Sequence, residues 1–144
     1  SAYIWMQSNH FDTPNTSLSA SIAMIPLLGR SFRGGIVGFY HEGILHKFAK
    51  YTNVVNERLE LTNKFVYWTM RNKSHRLELR AERASGGLLL APIRTEMHKR
   101  VDETMRSTVH VRLTTLKGDV IFDEYGRNTG LEVHGDLDTL LKAK

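Results

Sequence analysis

Four side chains are our candidates for donating a proton to a bound molecule: Asp12, Glu42, His10 and His41. A carboxylic acid in an apolar pocket has a raised pKa, so it stays protonated near neutral pH and can act as a general acid. Spacing does not choose among the four, and each also suits a surface turn. The chain has no cysteine, which excludes a disulfide framework, a thiolate zinc site and a cysteine nucleophile.

A second group of candidate residues lies in the first apolar segment. If this segment is a strand, Trp5, Gln7 and Asn9 share one face with Tyr3 and Phe11. Aromatic rings with a few hydrogen-bonding amides are typical of a ligand cavity. We therefore predict that Trp5, Gln7 and Asn9 line such a cavity. The alternative is that the two amides lie on a solvent-facing surface near the end of the strand.

Neither a metal site nor a phosphate loop is predicted. His41 and His46 flank the Glu42-Gly43 pair, so their rings could approach each other across a hairpin, but a zinc site needs at least a third ligand. The glycines between residues 34 and 38 match neither nucleotide-binding fingerprint, and no helical pattern follows them. We interpret them as turn and bulge glycines.

Composition limits the number of domains and the kinds of partner. A chain of 144 residues with 41% hydrophobic and 24% charged residues suits one compact domain. No segment approaches the ~20 apolar residues that a membrane-spanning helix needs. The net charge of +5 names no partner. In the basic segment 71–83, Glu78 and Glu82 would oppose a polyanion, so we predict a solvated face with cross-strand ion pairs and no nucleic-acid partner.

The elements that must position these residues are mostly strands. Apolar and polar residues alternate in several segments, most clearly over His75 to Arg83, and predicted turns, among them Gly34-Gly35 and Gly126, separate the segments. The pattern predicts strands near 3–11, 17–25, 35–42, 44–52, 55–61, 64–72, 75–83, 87–91, 107–117, 119–125 and 127–134. It also predicts a tight hairpin at Glu42-Gly43, with short helices over Thr95 to Met105 and Asp136 to Lys142. So many consecutive strands favour an all-β, antiparallel, closed or nearly closed barrel, because closure removes exposed edges.

An ordered set of sequence strings runs through nearly the whole chain: IWMQSNHF (4–11), SLSASIAMIP (17–26), GIVGFYHEGILHKFAKYT (35–52), HRLELRAER (75–83), LLLAPI (88–93) and GLEVHGDL (130–137). Taken together, these strings resemble the tocopherol cyclase-like family, and specifically the C-terminal half of its bacterial members. The order of the strings carries the resemblance, more than any one of them.

The resemblance implies a lipocalin-like β-barrel of about 8–11 strands with one or two short helices. Residues 1–144 would form a single domain and the C-terminal half of a two-barrel protein. The expected partners are a hydrophobic small molecule and either the missing N-terminal half or a homodimer partner that replaces it. No redox cofactor and no metal are implied. We expect the sequence to begin inside a longer protein with any targeting segment upstream, and the cytoplasm is the default expectation for localisation.

The plant enzymes that give the family its name close a chroman ring by protonating the prenyl double bond of a quinol. By resemblance, the chain would cyclise a prenylated quinol or isoprenoid-like molecule, with Glu42 or His41 as the proton donor. Gln7 and Asn9 would hydrogen-bond the quinol, while Trp5 and Tyr40 would form aromatic walls that steady a carbocation. The alternative is a non-catalytic module that binds or carries a lipophilic ligand.

Overall fold

The computed structural model describes residues 2–84 and 101–143, which form one antiparallel sheet of nine strands. The strands are β1 (Tyr3–Ser8), β2 (Ser17–Leu27), β3 (Arg30–His41), β4 (Ile44–Ala49), β5 (Val55–Leu61), β6 (Phe65–Arg71), β7 (His75–Glu82), β8 (Val101–Thr115) and β9 (Val120–His134). A 3₁₀ turn spans Lys50–Thr52, and one short helix, α1, spans Leu137–Lys142. Both the predicted all-β class and the predicted antiparallel pairing are confirmed.

The sheet is curled into a half-barrel in the strand order β4-β3-β2-β1-β9-β8-β7-β6-β5. Its two edge strands, β4 and β5, follow each other in the chain through the 3₁₀ turn. Within the described ranges they form no ladder with each other, so a seam separates them. Across this seam the Asn72 side-chain amide donates a hydrogen bond of 2.8 Å to the Lys47 carbonyl.

The core lies on the inner face of the curled sheet. In β1, Ile4, Met6 and Ser8 are buried, whereas Gln7 between them is exposed. The same alternation buries Val66, Trp68 and Met70 in β6, Leu77, Leu79 and Ala81 in β7, and Val109, Val111 and Leu113 in β8. These four strands therefore contribute every second side chain to one continuous core.

The hairpin predicted at Glu42-Gly43 is confirmed. Glu42 and Gly43 both have positive φ angles, of 51° and 77°, and His41 pairs with Ile44 on either side of them. Two consecutive left-handed residues form the turn whose twist matches that of the flanking strands. The turn fixes His41 as an inward-facing residue and leaves Glu42 beside it at the end of the sheet.

Two glycine-based turn predictions were wrong. Gly34 and Gly35 lie inside β3, and the chain reverses instead at Leu28-Gly29, where both residues have positive φ. Gly126 lies inside β9, which is one continuous strand where two were predicted. A Cβ on Gly126 would come within 2.7 Å of the Phe11 ring and of the Ser8 hydroxyl, so this glycine permits close packing within a strand.

The C-terminal helix is confirmed. The Asp136 carboxylate accepts hydrogen bonds from the Thr139 backbone N–H (3.3 Å) and the Thr139 hydroxyl (2.6 Å), as expected of an N-cap. The helix predicted over Thr95 to Met105 was wrong over 101–105, which belongs to β8; the rest of that segment lies outside the described residues. The strand predicted at 87–91 also lies outside them. In the described part of the chain, no helix is long and apolar enough to cross a membrane.

Candidate functional site

One pocket forms where the β3–β4 turn and the β6–β7 turn meet. It has a volume of about 530 Å³. We call it the histidine pocket, because three histidines contribute to its wall. Its lining residues are His41, Glu42, Ile44, Leu45, His46, Lys47, Thr52, Asn72, Ser74, His75 and Ile121.

His41 is held in this pocket by aromatic contacts. Its ring stacks on Phe39 with 6.0 Å between centroids and meets the Phe122 ring edge to face at 4.8 Å. Its Nε2 lies 3.4 Å from a Glu42 carboxylate oxygen, whereas its Nδ1 is buried and has no hydrogen-bond partner. The Glu42 side chain is 74% exposed, so the pair joins a buried imidazole to a solvent-facing carboxylate.

The other two histidines of the histidine pocket, His46 and His75, come from β4 and β7, which are far apart in the sequence. Their ring centroids lie 4.8 Å apart, with His46 buried and His75 half-buried. Burial lowers the pKa of His46, and the nearby His75 and His41 lower it further, because each would repel a positive charge on the His46 ring. Over residues 2–84 and 101–143, no three acidic or histidine side chains are grouped so as to hold a metal ion.

A second and larger pocket lies beside the seam, between the middle of the β2–β3 hairpin and strands β5 and β6. Its volume is about 800 Å³. We call it the apolar pocket. It is lined by Ser21, Ile22, Ala23, Ile25, Phe32, Arg33, Gly34, Gly35, Ile36, Phe48, Lys50, Asn53, Val54, Asn56, Trp68 and Met70. Most of these side chains are aliphatic or aromatic.

Two polar contacts fix the orientation of side chains in the apolar pocket. The Trp68 indole N–H donates a hydrogen bond of 2.8 Å to the Asn56 side-chain oxygen. The Arg33 guanidinium donates one of 3.1 Å to the Leu140 carbonyl in α1, and its burial lowers the pKa of Arg33. A few placed polar groups in an otherwise apolar wall are typical of small-molecule sites.

The six residues predicted for the site lie in different places. His41 and Glu42 line the histidine pocket together. Trp5 is half-buried on the outer face of β1, where its ring packs so closely on Gly130 that a Cβ there would lie 3.0 Å away. Gln7 and Asn9 are exposed.

Tyr40 is also exposed, at 40%, and like Trp5, Gln7 and Asn9 it lines neither pocket. A ligand-binding role for these four residues stays a prediction. Both faces of β1 carry large apolar residues, and the sequence alone did not show that Ile4 and Met6, instead of Tyr3 and Trp5, would face the core.

Sequence reasoning missed the residues that face the pockets from distant strands. Trp68, Phe48 and Arg33 line the apolar pocket, and His75 lines the histidine pocket. The available signal was periodicity: Val66, Trp68 and Met70 alternate with polar or amphipathic residues, which indicates a single buried face. Which of these inward-facing residues would border a pocket depends on how the sheet curls.

The fold places this chain among proteins built from one antiparallel sheet curled around an apolar core. Comparison with models of protein families assigns the chain more narrowly than the fold does. The family model described as tocopherol cyclase-like matches residues 1–135, and the chain belongs to that family. Comparison with curated proteins and comparison with solved structures each find no match.

Proposed function

We propose that this domain binds a hydrophobic, prenylated or isoprenoid-like small molecule in the apolar pocket. The observation that carries the proposal is a pocket of about 800 Å³ walled by Ile22, Phe48, Trp68 and Met70. Ligand pockets in proteins are commonly ~300–1,000 Å³ and mainly apolar. Membership of the tocopherol cyclase-like family supports a ligand of this chemical class.

The polar groups of the pocket suit a ligand with one oxygen-bearing end. Arg33 has hydrogen-bond donors beyond the one given to Leu140, and a guanidinium can donate to a quinone or quinol oxygen. The apolar walls would then cover the isoprenoid chain, whose removal from water supplies most of the binding free energy. The ligand's head would lie towards Arg33, and its tail along Phe48 and Trp68.

The two tryptophans allow a direct test. In a Trp5→Phe variant, Trp68 is the remaining tryptophan; in a Trp68→Phe variant, Trp5 remains. Titration with a geranylgeranyl benzoquinone, which quenches indole fluorescence on contact, should give saturable quenching in the first variant and none in the second. Circular dichroism checks that both variants are folded.

Quenching of the other tryptophan would show that the ligand binds elsewhere on the domain. Saturable quenching of Trp5 alone would place the ligand beside Trp5 on the outer face of β1, at a residue that the sequence analysis predicted to contact the ligand. Absence of saturable quenching in both variants would contradict the binding of a lipid-like ligand by this domain.

A second candidate function is proton-initiated cyclisation, and the histidine pocket favours it. Protonation of a prenyl double bond by Glu42 or by an imidazolium at His41 would leave a tertiary carbocation. The phenolic oxygen of the same quinol would attack this cation, closing the ring, and its proton would return to the donor. The net reaction is an isomerisation, so it consumes no oxidant, reductant or metal.

Ring closure is measured by incubating the protein with a geranylgeranyl hydroquinone and separating the chromanol from its open-chain isomer by chromatography and mass spectrometry. We expect Glu42→Gln and His41→Gln each to lower the rate, and the double variant to abolish it. Glu60→Gln, an exposed acid in β5, is the matched control. Saturable binding without ring closure would remove this candidate and leave the first in place.

A further inference from the structure

The β2–β3 hairpin projects beyond the rest of the sheet. On one side, β1 pairs with β2 only up to Ala23; on the other, β4 pairs with β3 only from Ile36 onwards. Residues 24–33 therefore form a two-stranded ribbon, paired from Met24–Arg33 to Leu27–Arg30 and closed by the Leu28-Gly29 turn. We call this segment the ribbon.

The outer face and the tip of the ribbon are apolar and exposed. Leu28, at the turn, is 93% exposed, and Leu27 beside it is 57% exposed. On the same face, Phe32 is 44% and Ile25 39% exposed, and Ile36 continues the patch at the base of the ribbon with 56%. A leucine at positive φ in open solvent gains nothing from folding, because the left-handed conformation favours glycine or asparagine.

The inner face of the same hairpin is covered, in contrast, by α1 and by the core. Arg33 donates its hydrogen bond to Leu140 of α1, and Met24 packs against the core. The apolar side chains on the outer face have no such cover in the described structure.

The charged side chains of the β2–β3 hairpin are all positive. Between Asp12 and Glu42 the sequence has no acidic residue, whereas it places Arg30 and Arg33 on the ribbon. Arg30 pairs directly with Leu27, so a cation lies beside the exposed leucines. Lys50 lies at the edge of the neighbouring apolar pocket. The patch therefore combines exposed hydrocarbon with positive charge that no acidic residue of the hairpin itself offsets.

We propose that the ribbon docks this protein onto an anionic lipid surface. Leu27 and Leu28 enter the boundary between headgroups and acyl chains, and Arg30 meets the lipid phosphates. The narrow tip argues against a protein partner, because a stable protein interface needs about 800 Å² from each side and a broad complementary surface. A membrane accepts a thin apolar tip without a matching shape.

The proposal does not depend on the proposed ligand, although the two fit together. Ile25, Phe32 and Ile36 belong both to the exposed patch and to the wall of the apolar pocket. A lipophile leaving the bilayer along the ribbon would thus reach the pocket without crossing water. Membrane docking is measured with no quinone present, so its failure and the failure of ligand binding are separate results.

The test is cosedimentation of the whole chain with vesicles of phosphatidylcholine alone and of equal parts phosphatidylcholine and phosphatidylglycerol. We expect clear binding to the anionic vesicles and weaker binding to the neutral ones. The double variant Leu27→Ser/Leu28→Asn should bind the anionic vesicles at least about tenfold more weakly, since each buried leucine contributes more than a tenfold factor. Arg30→Gln should weaken binding about fivefold.

The matched control is Leu116→Ser/Val120→Ser, which changes two exposed apolar residues at the opposite end of the sheet and should leave vesicle binding unchanged. Equal losses in the control and the ribbon variant would overturn the proposal, as would an absence of vesicle binding by the wild-type chain. If instead the wild type is a dimer by light scattering and the ribbon variant a monomer that binds vesicles equally well, the patch is an interface between copies.

Discussion

At the scale of single residues, the histidine pocket shows which contacts the sequence could predict and which it could not. His41 and Glu42 were predicted as alternative proton donors, and the hairpin turn between β3 and β4 places both in one pocket. This much could be predicted because the two residues are adjacent and the Glu42-Gly43 turn is a local signal. His75 joins them from a strand more than 30 residues further along. No local pattern indicates that contact.

The position of His46 predicts how stability depends on pH. Burial and the neighbouring His75 and His41 lower the pKa of His46 in the folded protein, whereas the unfolded chain has the ordinary value of about 6.5. Below that value the unfolded state therefore binds a proton that the folded state does not. The contribution of His46 to stability is fully present above about pH 6.5 and decreases as the pH falls towards the lowered pKa.

We expect the free energy of unfolding to fall less between pH 7.5 and pH 5 in His46→Gln than in the wild type, measured by urea denaturation. The variant loses about 1 kcal/mol at neutral pH through altered packing. His46→Leu separates the two effects, because it changes the packing differently but also removes the titrating group. Both variants should show the same reduced pH dependence, and a wild-type pH dependence in either would contradict this reasoning. Glu42 and Lys47, the other charged groups of the pocket, are unchanged in every comparison.

At the scale of elements, β9 shows which parts of the fold the sequence could specify. Leu131 and Val133 alternate with polar residues and were correctly placed in a strand. Gly126 was interpreted as a turn, because a glycine between two strand-like segments usually marks one. In the structure it permits an aromatic ring from the β1–β2 loop to lie against the strand, a tertiary contact that local sequence does not report.

Gly126→Ala should therefore destabilise the protein by about 1–3 kcal/mol, because its methyl group would overlap the Phe11 ring and the Ser8 hydroxyl. Gly38→Ala in β3 is the control, since a Cβ there would meet only the end of the Leu45 side chain, at 3.3 Å. Thermal or urea unfolding of both variants measures the difference. Equal stability of the two variants would show that Phe11 relaxes freely and that the close packing is not required.

At the scale of the whole molecule, the seam is the feature that neither periodicity nor family resemblance could predict. A closed or nearly closed barrel was expected, because closure removes exposed strand edges. The half-barrel instead leaves β4 and β5 without a shared ladder in the described residues, and the apolar pocket lies beside that seam. The curl of a sheet depends on the summed twist of nine strands, so a small change in each strand decides whether the edges meet.

The hydrogen bond from Asn72 to the Lys47 carbonyl should hold β4 against the opposite side of the seam. Asn72 also accepts hydrogen bonds from the backbone N–H groups of Ser74 and His75, which shape the β6–β7 turn. Asn72→Asp keeps the acceptor oxygen and removes the donor across the seam, whereas Asn72→Ala removes every hydrogen bond of this side chain. We expect both variants to speed hydrogen exchange of the β4 amides about fivefold, as the loss of roughly 1 kcal/mol predicts. Only Asn72→Ala should also affect the amides of Ser74 and His75. If the β4 amides exchange at the wild-type rate in Asn72→Asp, the hydrogen bond across the seam does not hold β4 in place. The position of β4 then depends on the packing of its inward-facing residues, such as Phe48.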